Sequence, residues 1–500
     1  MTTTARSEGP DRDSDKLTEA RARLAADPHS RRWWVLALCI ICTVFTVLDL
    51  GIVVVALPTI AHTLDAGPDE VQWVVSGYAL TFGIVPTIAG RLGDDFGQRP
   101  LLMIGITGFL AFSVLIGVAP NPSVIIVGRL LQGMTGGLIQ PQVVGLVHRM
   151  FTDSRRGTAF GLIGLAAAVG TAAGPALGGL ILSAAGPSLG WRLIFLVNVP
   201  ITLIAIALCL AVVPRKVLDG RRRRLDVRGV VLLSSGLFAI LFPAIEVNTH
   251  REVWLLPILA AAPLSLWLLY RWEAGGARER VSPIVDVDLF RSPRYRSGVG
   301  IAALYSAAYM SAPLLLSLFL QEGLGYSPFA SGLAVVPVAI GAGLSAPLSG
   351  IMLRRVGDRV VSTGLGIFVL GLAGTALAAL AVSGSAPGTV GLAIAGPLLV
   401  AGIGGGWVMH PNQALSLDDV DASRGSGAGG VIQAGQRLGG AVGTAVSSTA
   451  YFLVADLAAS YSTRQGDEIH AWAFVAGVGC LTLCAVAAFV IAVRHARLPG

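Results

Sequence analysis

Two ionisable side chains stand where the surrounding sequence offers no water. Asp49 lies in the apolar run that begins at Trp33 and closes near Pro58, and Arg129 lies in the run that opens at Ser123. A charge carried into hydrocarbon is costly enough that its presence there points to function. If the first run leads outward and the second leads back inward, Asp49 sits about 9 residues, roughly 13 Å, from the outer end, and Arg129 about 6 residues, roughly 9 Å, below the same surface. The shared depth predicts a pair. Each partner would offset the desolvation of the other. Burial disfavours a carboxylate's charge and a nearby guanidinium favours it, so a movement that separates the two would also move a proton. A static ion pair that only fixes helix register is the plainer alternative.

Small residues form a second pattern. Gly161, Gly170, Gly174, Pro175, Gly178 and Gly179 recur within one apolar run. Pro175 has no N–H and so frees the carbonyl of Thr171, which predicts a bend, while the glycines allow a neighbouring backbone to come close. A third cluster, Gly90 to Arg99, follows the second apolar run. Asp94 can accept from the N-terminal amides of a neighbouring helix or pair with a base, and Gly93 and Gly97 permit a tight turn. Gly90, Gly93, Asp94, Gly97 and Arg99 together read as a charged latch at the cytosolic face. A weaker echo, Gly350 to Arg359, follows the tenth run.

The elements that must position these residues are spans. Hydrophobic residues make up 54% of the 500 and charged residues 13%, with 63 Gly and a mean hydropathy of +0.73. That balance excludes a disordered chain, which needs low hydrophobicity and high charge, and leaves too little charge to clothe soluble domains. Apolar stretches of about 20 residues suffice to cross roughly 30 Å of hydrocarbon as helix, and they lack the alternation of barrel strands. They fall at 33–57, 71–90, 101–119, 123–147, 158–184, 192–213, 229–247, 253–271, 297–320, 329–352, 360–382, 389–415, 429–455 and 470–493. Fourteen spans place both termini on one side. With the N-terminus cytosolic, all but five of the 36 basic residues fall in the tails or in every second connection, as the positive-inside rule requires. The five exceptions are Arg129, Arg192, Arg251, Arg437 and Arg464.

Residues 1–30 have no apolar core, which predicts a polar cytosolic tail and no cleavable leader. The run Arg221 to Arg224 lies beside a span, so anionic inner-leaflet lipid is its expected partner rather than nucleic acid. The Gly-rich stretch 424–430 has no preceding strand and no Gly-Lys-Ser/Thr, and reads as a flexible lead into the thirteenth span rather than a phosphate loop. Cys39, Cys42, Cys209, Cys480 and Cys484 all sit in apolar runs, where packing is expected rather than a disulfide or a metal site. No cofactor is implied.

These motifs resemble the major facilitator superfamily, and within it the fourteen-span drug/proton antiporter branch. Gly90 to Arg99 is similar to the loop motif between spans two and three, with Asp95 where a base is usual. Arg129, Gln132 and Gly133 are similar to the span-four motif linked to proton transfer. Gly161 to Gly179, including Pro175, is similar to the antiporter signature. Asp49, Ala56, Leu57 and Pro58 resemble the span-one motif, although Gly51 and Val54 replace Thr and Asn. Residues 191–200 and 436–440 also resemble this branch.

The resemblance implies an all-α polytopic membrane protein with two six-helix bundles, at 33–213 and 297–493. A linker, 214–296, would carry two additional central spans, and cytosolic tails would occupy 1–32 and 494–500. Alternating access would come from rocking one bundle on the other around a midplane site. On the cavity-lining spans the sequence offers Phe45, Gln132, Gln140, Tyr305, Tyr309, Trp407, His410 and Asn412, a mixture suited to small amphipathic organic compounds. Arg437 lies about 8 residues, roughly 12 Å, inside span thirteen with no acid at its depth. A carbonyl, Gln413 or an anionic substrate are the partners on offer. The expected function is proton-coupled efflux across the cytoplasmic membrane by a monomer, with no ATP site and no nucleic-acid partner. An uptake symporter or other metabolite transporter is the alternative. A membrane enzyme or sensor would need clustered catalytic residues or a large extramembrane domain, and the sequence has neither.

Overall fold

The computed structural model describes residues 28–151, 153–214, 226–250, 256–274, 285–383, 387–461 and 466–496. The tail 1–27, the basic run Arg221 to Arg224, Arg251, Arg464 and the connection 275–284 lie outside them. The regular structure of the described residues is helical throughout. The N-terminal half contains α1 (Pro28–Leu64), α2 (Pro68–Phe96), α3 (Gln98–Gly117), α4 (Pro122–Met150), α5 (Asp153–Leu196) and α6 (Asn198–Val212). Next come α7 (Val227–His250) and α8 (Leu256–Ala274). The C-terminal half contains α9 (Pro293–Ser317), α10 (Pro328–Val356), α11 (Arg359–Ala381), α12 (Pro387–Gly406), the short α13 (Met409–Ser416), α14 (Gly425–Tyr461) and α15 (Gly466–His495).

Local chemistry sets where the helices begin. Asn121, Ser292 and Ser327 each precede a proline, and their side chains accept the backbone N–H of Val124, Tyr295 and Ala330 at 3.0, 3.3 and 3.2 Å. A polar cap followed by proline is favourable because proline's missing N–H would have had no helical acceptor. Reversals at glycine use a positive φ, two of them in the N-terminal half. Gly97, at φ 97°, turns α2 into α3. Gly186, at φ 74°, folds α5 back on itself, so that Gly190 lies against Leu182. α5 therefore holds one span before Gly186 and the start of the next after it.

Among the described residues, eleven helical stretches are long and apolar enough to cross a membrane, and Val227–Pro243 is a shorter apolar helix. One of the eleven, Arg155–Val212, contains the reversal at Gly186. Large side chains such as Leu392 and Leu344, 80% and 70% exposed, cover the outside, as a lipid-facing surface requires.

Within the N-terminal half α1 packs on α5 and α2 on α4; within the C-terminal half α9 packs on α14 and α10 on α12. The halves meet along two seams, α2 against α14 and α5 against α10. In both, glycines let backbones touch. A Cβ on Gly90 would overlap the Ser426 carbonyl, one on Gly430 the Pro86 carbonyl, and one on Gly350 the Gly157 carbonyl. The pair α7 and α8 lies outside these seams, with α7 against α2 and α14.

Candidate functional site

Asp49 and Arg129 are in direct contact, both fully buried. Arg129 Nη1 donates to Asp49 Oδ2 and to Gln132 Oε1 at 2.8 Å, and its Nε donates to the Val74 carbonyl at 2.9 Å. Asp49 Oδ1 accepts from Asn198 Nδ2 at 2.9 Å and from Gln132 Nε2 at 3.3 Å. Gln132 Nε2 also reaches Ser113 Oγ at 2.8 Å. The guanidinium lies 4.2 Å from the centre of the Tyr78 ring. Helices α1, α2, α3, α4 and α6 each contribute a group, so one carboxylate ties together most of the N-terminal half.

The hydrogen bonds define what this site accommodates. Both carboxylate oxygens accept from N–H donors, Oδ2 from Arg129 and Oδ1 from Asn198 and Gln132. Gln132 bridges both partners of the ion pair and Ser113, so its amide belongs to this cluster rather than to a cavity wall.

Asn198, Ser113 and Tyr78 were not singled out from the sequence as site residues. Small polar residues and a tyrosine in apolar runs look like packing, and only the fold brings them to Asp49. The available signal was that Asn198 falls in the stretch 191–200 that resembles this branch, two residues before Pro200.

The second cluster joins the halves at the end where α2 stops. Asp94 accepts the backbone N–H groups of Ser426 and Gly427 at 3.1 and 2.6 Å, the first amides of α14, where the helix dipole favours a negative charge. Gln98 Nε2 donates to Ser426 Oγ at 2.9 Å, His148 meets the Val420 carbonyl at 2.9 Å, and Arg156 pairs with Asp418 at 2.8 Å. Four side chains of the N-terminal half thus grip the C-terminal half here.

This geometry corrects several expectations. Residues 424–430 are no flexible lead, because helix α14 begins at Gly425 and its small residues let its first turn seat under Gly90 and Asp94. Gly97 makes the turn, but Gly93 lies inside α2, where a Cβ would collide with the Gln142 amide. Arg99 does not cross the seam. It donates to the Val213 and Leu210 carbonyls at 3.1 and 2.9 Å, capping the end of α6 with a positive charge.

The glycine pattern of α5 divides between two neighbours. Gly170, Gly174 and Gly178 face α1 at Val44, Gly51 and Ile52, and Pro175 lies against Gly51. Gly161 instead faces the Ala346 carbonyl of α10, in the other half. Nothing lies within 4 Å of a Cβ built on Gly179, so that glycine serves no close approach here. α5 keeps helical backbone angles through Pro175 and departs from them only at Gly186.

The proposed cavity residues scatter. Phe45 packs on Phe109, with ring centres 5.0 Å apart, inside the N-terminal half. Asn412 is buried and donates to the Gly298 carbonyl at 2.9 Å, beside Arg294 and Asp358, which places it near the loop ends of α9 and α10 rather than at mid-depth. Gln140 donates to Thr46 Oγ1 at 2.7 Å. Tyr305 donates to the Gly405 carbonyl at 3.2 Å and stacks on Tyr309, centre to centre 5.4 Å. Trp407 donates to the Ser345 carbonyl at 3.2 Å, and His410 lies against Gly164 across the α5 seam. Gln140, Tyr309, Trp407 and His410 remain half-buried and able to face a ligand.

Comparison with known proteins agrees with this architecture. The chain is 31% identical over 446 residues to a probable actinorhodin transporter of Streptomyces coelicolor, covering 88% of this chain and 75% of that one. It is 30% identical over 479 residues to a puromycin resistance protein of Streptomyces alboniger, covering 93% and 92%. It is 30% identical over 425 residues to a tetracenomycin C resistance and export protein of Streptomyces glaucescens, covering 84% and 76%. Among solved structures, FucP in an outward conformation superposes with a TM-score of 0.61 at 13% identity, over 93% of this chain and all of that one. The proton:xylose symporter XylE superposes with a TM-score of 0.62 at 13% identity, over 92% and 95%. With the family model matching residues 39–444 and the bundles meeting along two glycine seams, the chain belongs to the Major Facilitator Superfamily and is a multi-pass membrane transporter.

Proposed function

We propose that this transporter exports small amphipathic organic compounds in exchange for protons across the cytoplasmic membrane, with fourteen spans and both termini cytosolic. The buried Asp49–Arg129 pair carries the reading. It is a titratable acid buried inside the N-terminal bundle, held by N–H donors from α4 and α6, so its protonation state is tied to how the helices of that bundle pack. Relatives named for antibiotic resistance and export, matched over most of their length, support export. α7 and α8, with the reversal at Gly186, support the span count. Asp94 on the first amides of α14 would hold the cytosolic end shut, so the closed seam corresponds to an outward-facing state, and anionic lipid would meet the basic connections of that face.

In the proposed cycle, a proton reaching Asp49 from outside displaces its donors and frees Arg129 to bond elsewhere. The helices shift, the latch releases, and substrate enters from the cytosol as the proton leaves. The proposed cycle uses no cofactor and no second subunit.

Proteoliposomes with an imposed pH gradient, acidic inside, test this reading with a panel of lipophilic drugs. Compound uptake coupled to proton release is expected for wild type, and Asp49→Asn should lower coupled flux at least about a hundredfold, in line with loss of an essential proton carrier, in protein that is less stable but still folded and inserted. Proton movement in the same direction as the compound would establish symport instead.

A further inference from the structure

Arg437 of α14 also carries a guanidinium within a span, half-buried, and its surroundings differ from those of Arg129. Arg129 has a carboxylate, and Arg192 has the carbonyls of Gly117 and Ala119. Arg437 lies 4.6 Å from the centre of the Phe82 ring, across the α2 seam, with Gly83 beside its aliphatic stem. Among the described residues no carboxylate stands within ion-pair distance of it, and no hydrogen bond holds it. A cation over a ring is worth about 0.5–2 kcal/mol, whereas desolvating an ion in a protein interior costs several. Arg437 is half-buried, so the ring offsets part of that cost and the guanidinium keeps access for a further partner.

Phe82 is itself part of a row. It stacks on Tyr78 at 5.4 Å, with the rings 14° from parallel, and Tyr78 carries Arg129. Arg437 therefore caps an aromatic row whose other end is the Asp49 site, with both rings on α2 of the N-terminal half and the capping guanidinium on α14 of the C-terminal half. A guanidinium held this way presents a donor fork suited to a carboxylate or an ionised phenol and a planar face suited to an aromatic ring.

We propose that Arg437 is the recognition residue for an anionic group on a planar aromatic substrate, so that the cargo is an aromatic acid or acidic phenol rather than a lipophilic cation. This rests on the reading that small organic compounds bind between the halves. An anion engaging Arg437 would neutralise the charge on the seam that must open. The same contact that selects the cargo would then alter the surface on which α14 meets α2.

The test is equilibrium binding to the purified full chain in detergent, without a pH gradient, using anthraquinone-2-carboxylate and its methyl ester. Wild type should prefer the carboxylate about tenfold or more, the scale of one charge-assisted hydrogen-bonded pair. Arg437→Gln should lose that preference while holding the ester as before, and Arg437→Lys should keep part of it. A wild-type protein that binds both probes equally, or neither, overturns the proposal, as does an unchanged preference in Arg437→Gln. Should Arg437→Gln fail to fold, the wild-type preference and Arg437→Lys decide. Because binding is read without a gradient, failure of proton-driven export in proteoliposomes would overturn the export reading and leave this result standing.

Discussion

Asp49 is surrounded by donors that come from different helices, and each has a calculable consequence. Asn198→Ala leaves Asp49 Oδ1 with only the longer Gln132 contact, and a buried charge stripped of one partner costs about 1–3 kcal/mol. The expected outcome is a lowered melting temperature together with reduced proton-driven flux. A variant with wild-type stability and flux would show that Asn198 does not hold the carboxylate. The Asp49 and Arg129 positions were legible in the sequence because charges in apolar runs stand out. Asn198, Ser113 and Tyr78 were not legible, because their types are common in spans and their convergence depends on how five helices are arranged. Phe45 and Asn412 misled for the same reason. An aromatic or an amide on a cavity-forming helix faces the cavity only if the helix is rotated that way, and here one turns into the bundle and the other lies near its end.

Helix pairs, rather than single side chains, explain the glycines. A Cβ on Gly174 would lie 3.0 Å from the Gly51 Cα and the Ile52 nitrogen, and backbone atoms cannot swing aside. Gly51 and Gly174 face each other, so the glycine at position 51 lets α1 and Pro175 of α5 approach. Gly174→Val should therefore force α1 and α5 apart and lower stability by about 1–3 kcal/mol, the usual cost of overpacking. Gly179→Ala meets nothing and should be neutral or slightly stabilising, because alanine is the better helix former by about 1 kcal/mol. Thermal melting of the two variants checks the contrast, and equal losses would contradict it. The sequence pattern announced close packing correctly as a property of the helix. It could not say that Gly161 contacts the other half, that the neighbouring positions contact α1, or that Gly179 contacts neither.

At the scale of the molecule, the two halves are held at one end by Asp94, Gln98, His148 and Arg156, and a shape change must break that grip. Cysteines replacing Gln98 and Ser426, whose side chains meet at 2.9 Å through the far end of the glutamine, should be joined in the resting protein by a short bifunctional thiol reagent that spans the length lost in shortening residue 98. Adding Gly90→Val should lower this cross-linking severalfold, because the new side chain would overlap the Ser426 carbonyl and push α14 away. A cross-link formed equally well with and without Gly90→Val would show that this seam is not the closing contact. Asp94→Asn retains the shape but removes the charge facing the α14 dipole, worth about 0.3–1 kcal/mol, and should weaken the cross-link less.

The sequence by itself determined that this chain lives in a bilayer as a series of helices, because the length of each apolar run and the placement of arginine are local properties that no folding partner alters. It also marked Asp49, Arg129 and Asp94, whose charge is costly wherever the helices lie. The tertiary structure decided which donors surround Asp49, which amides receive Asp94, and that Arg437 rests on a ring instead of an acid. Those outcomes depend on helix rotation and register across residues hundreds of positions apart, which no local pattern encodes.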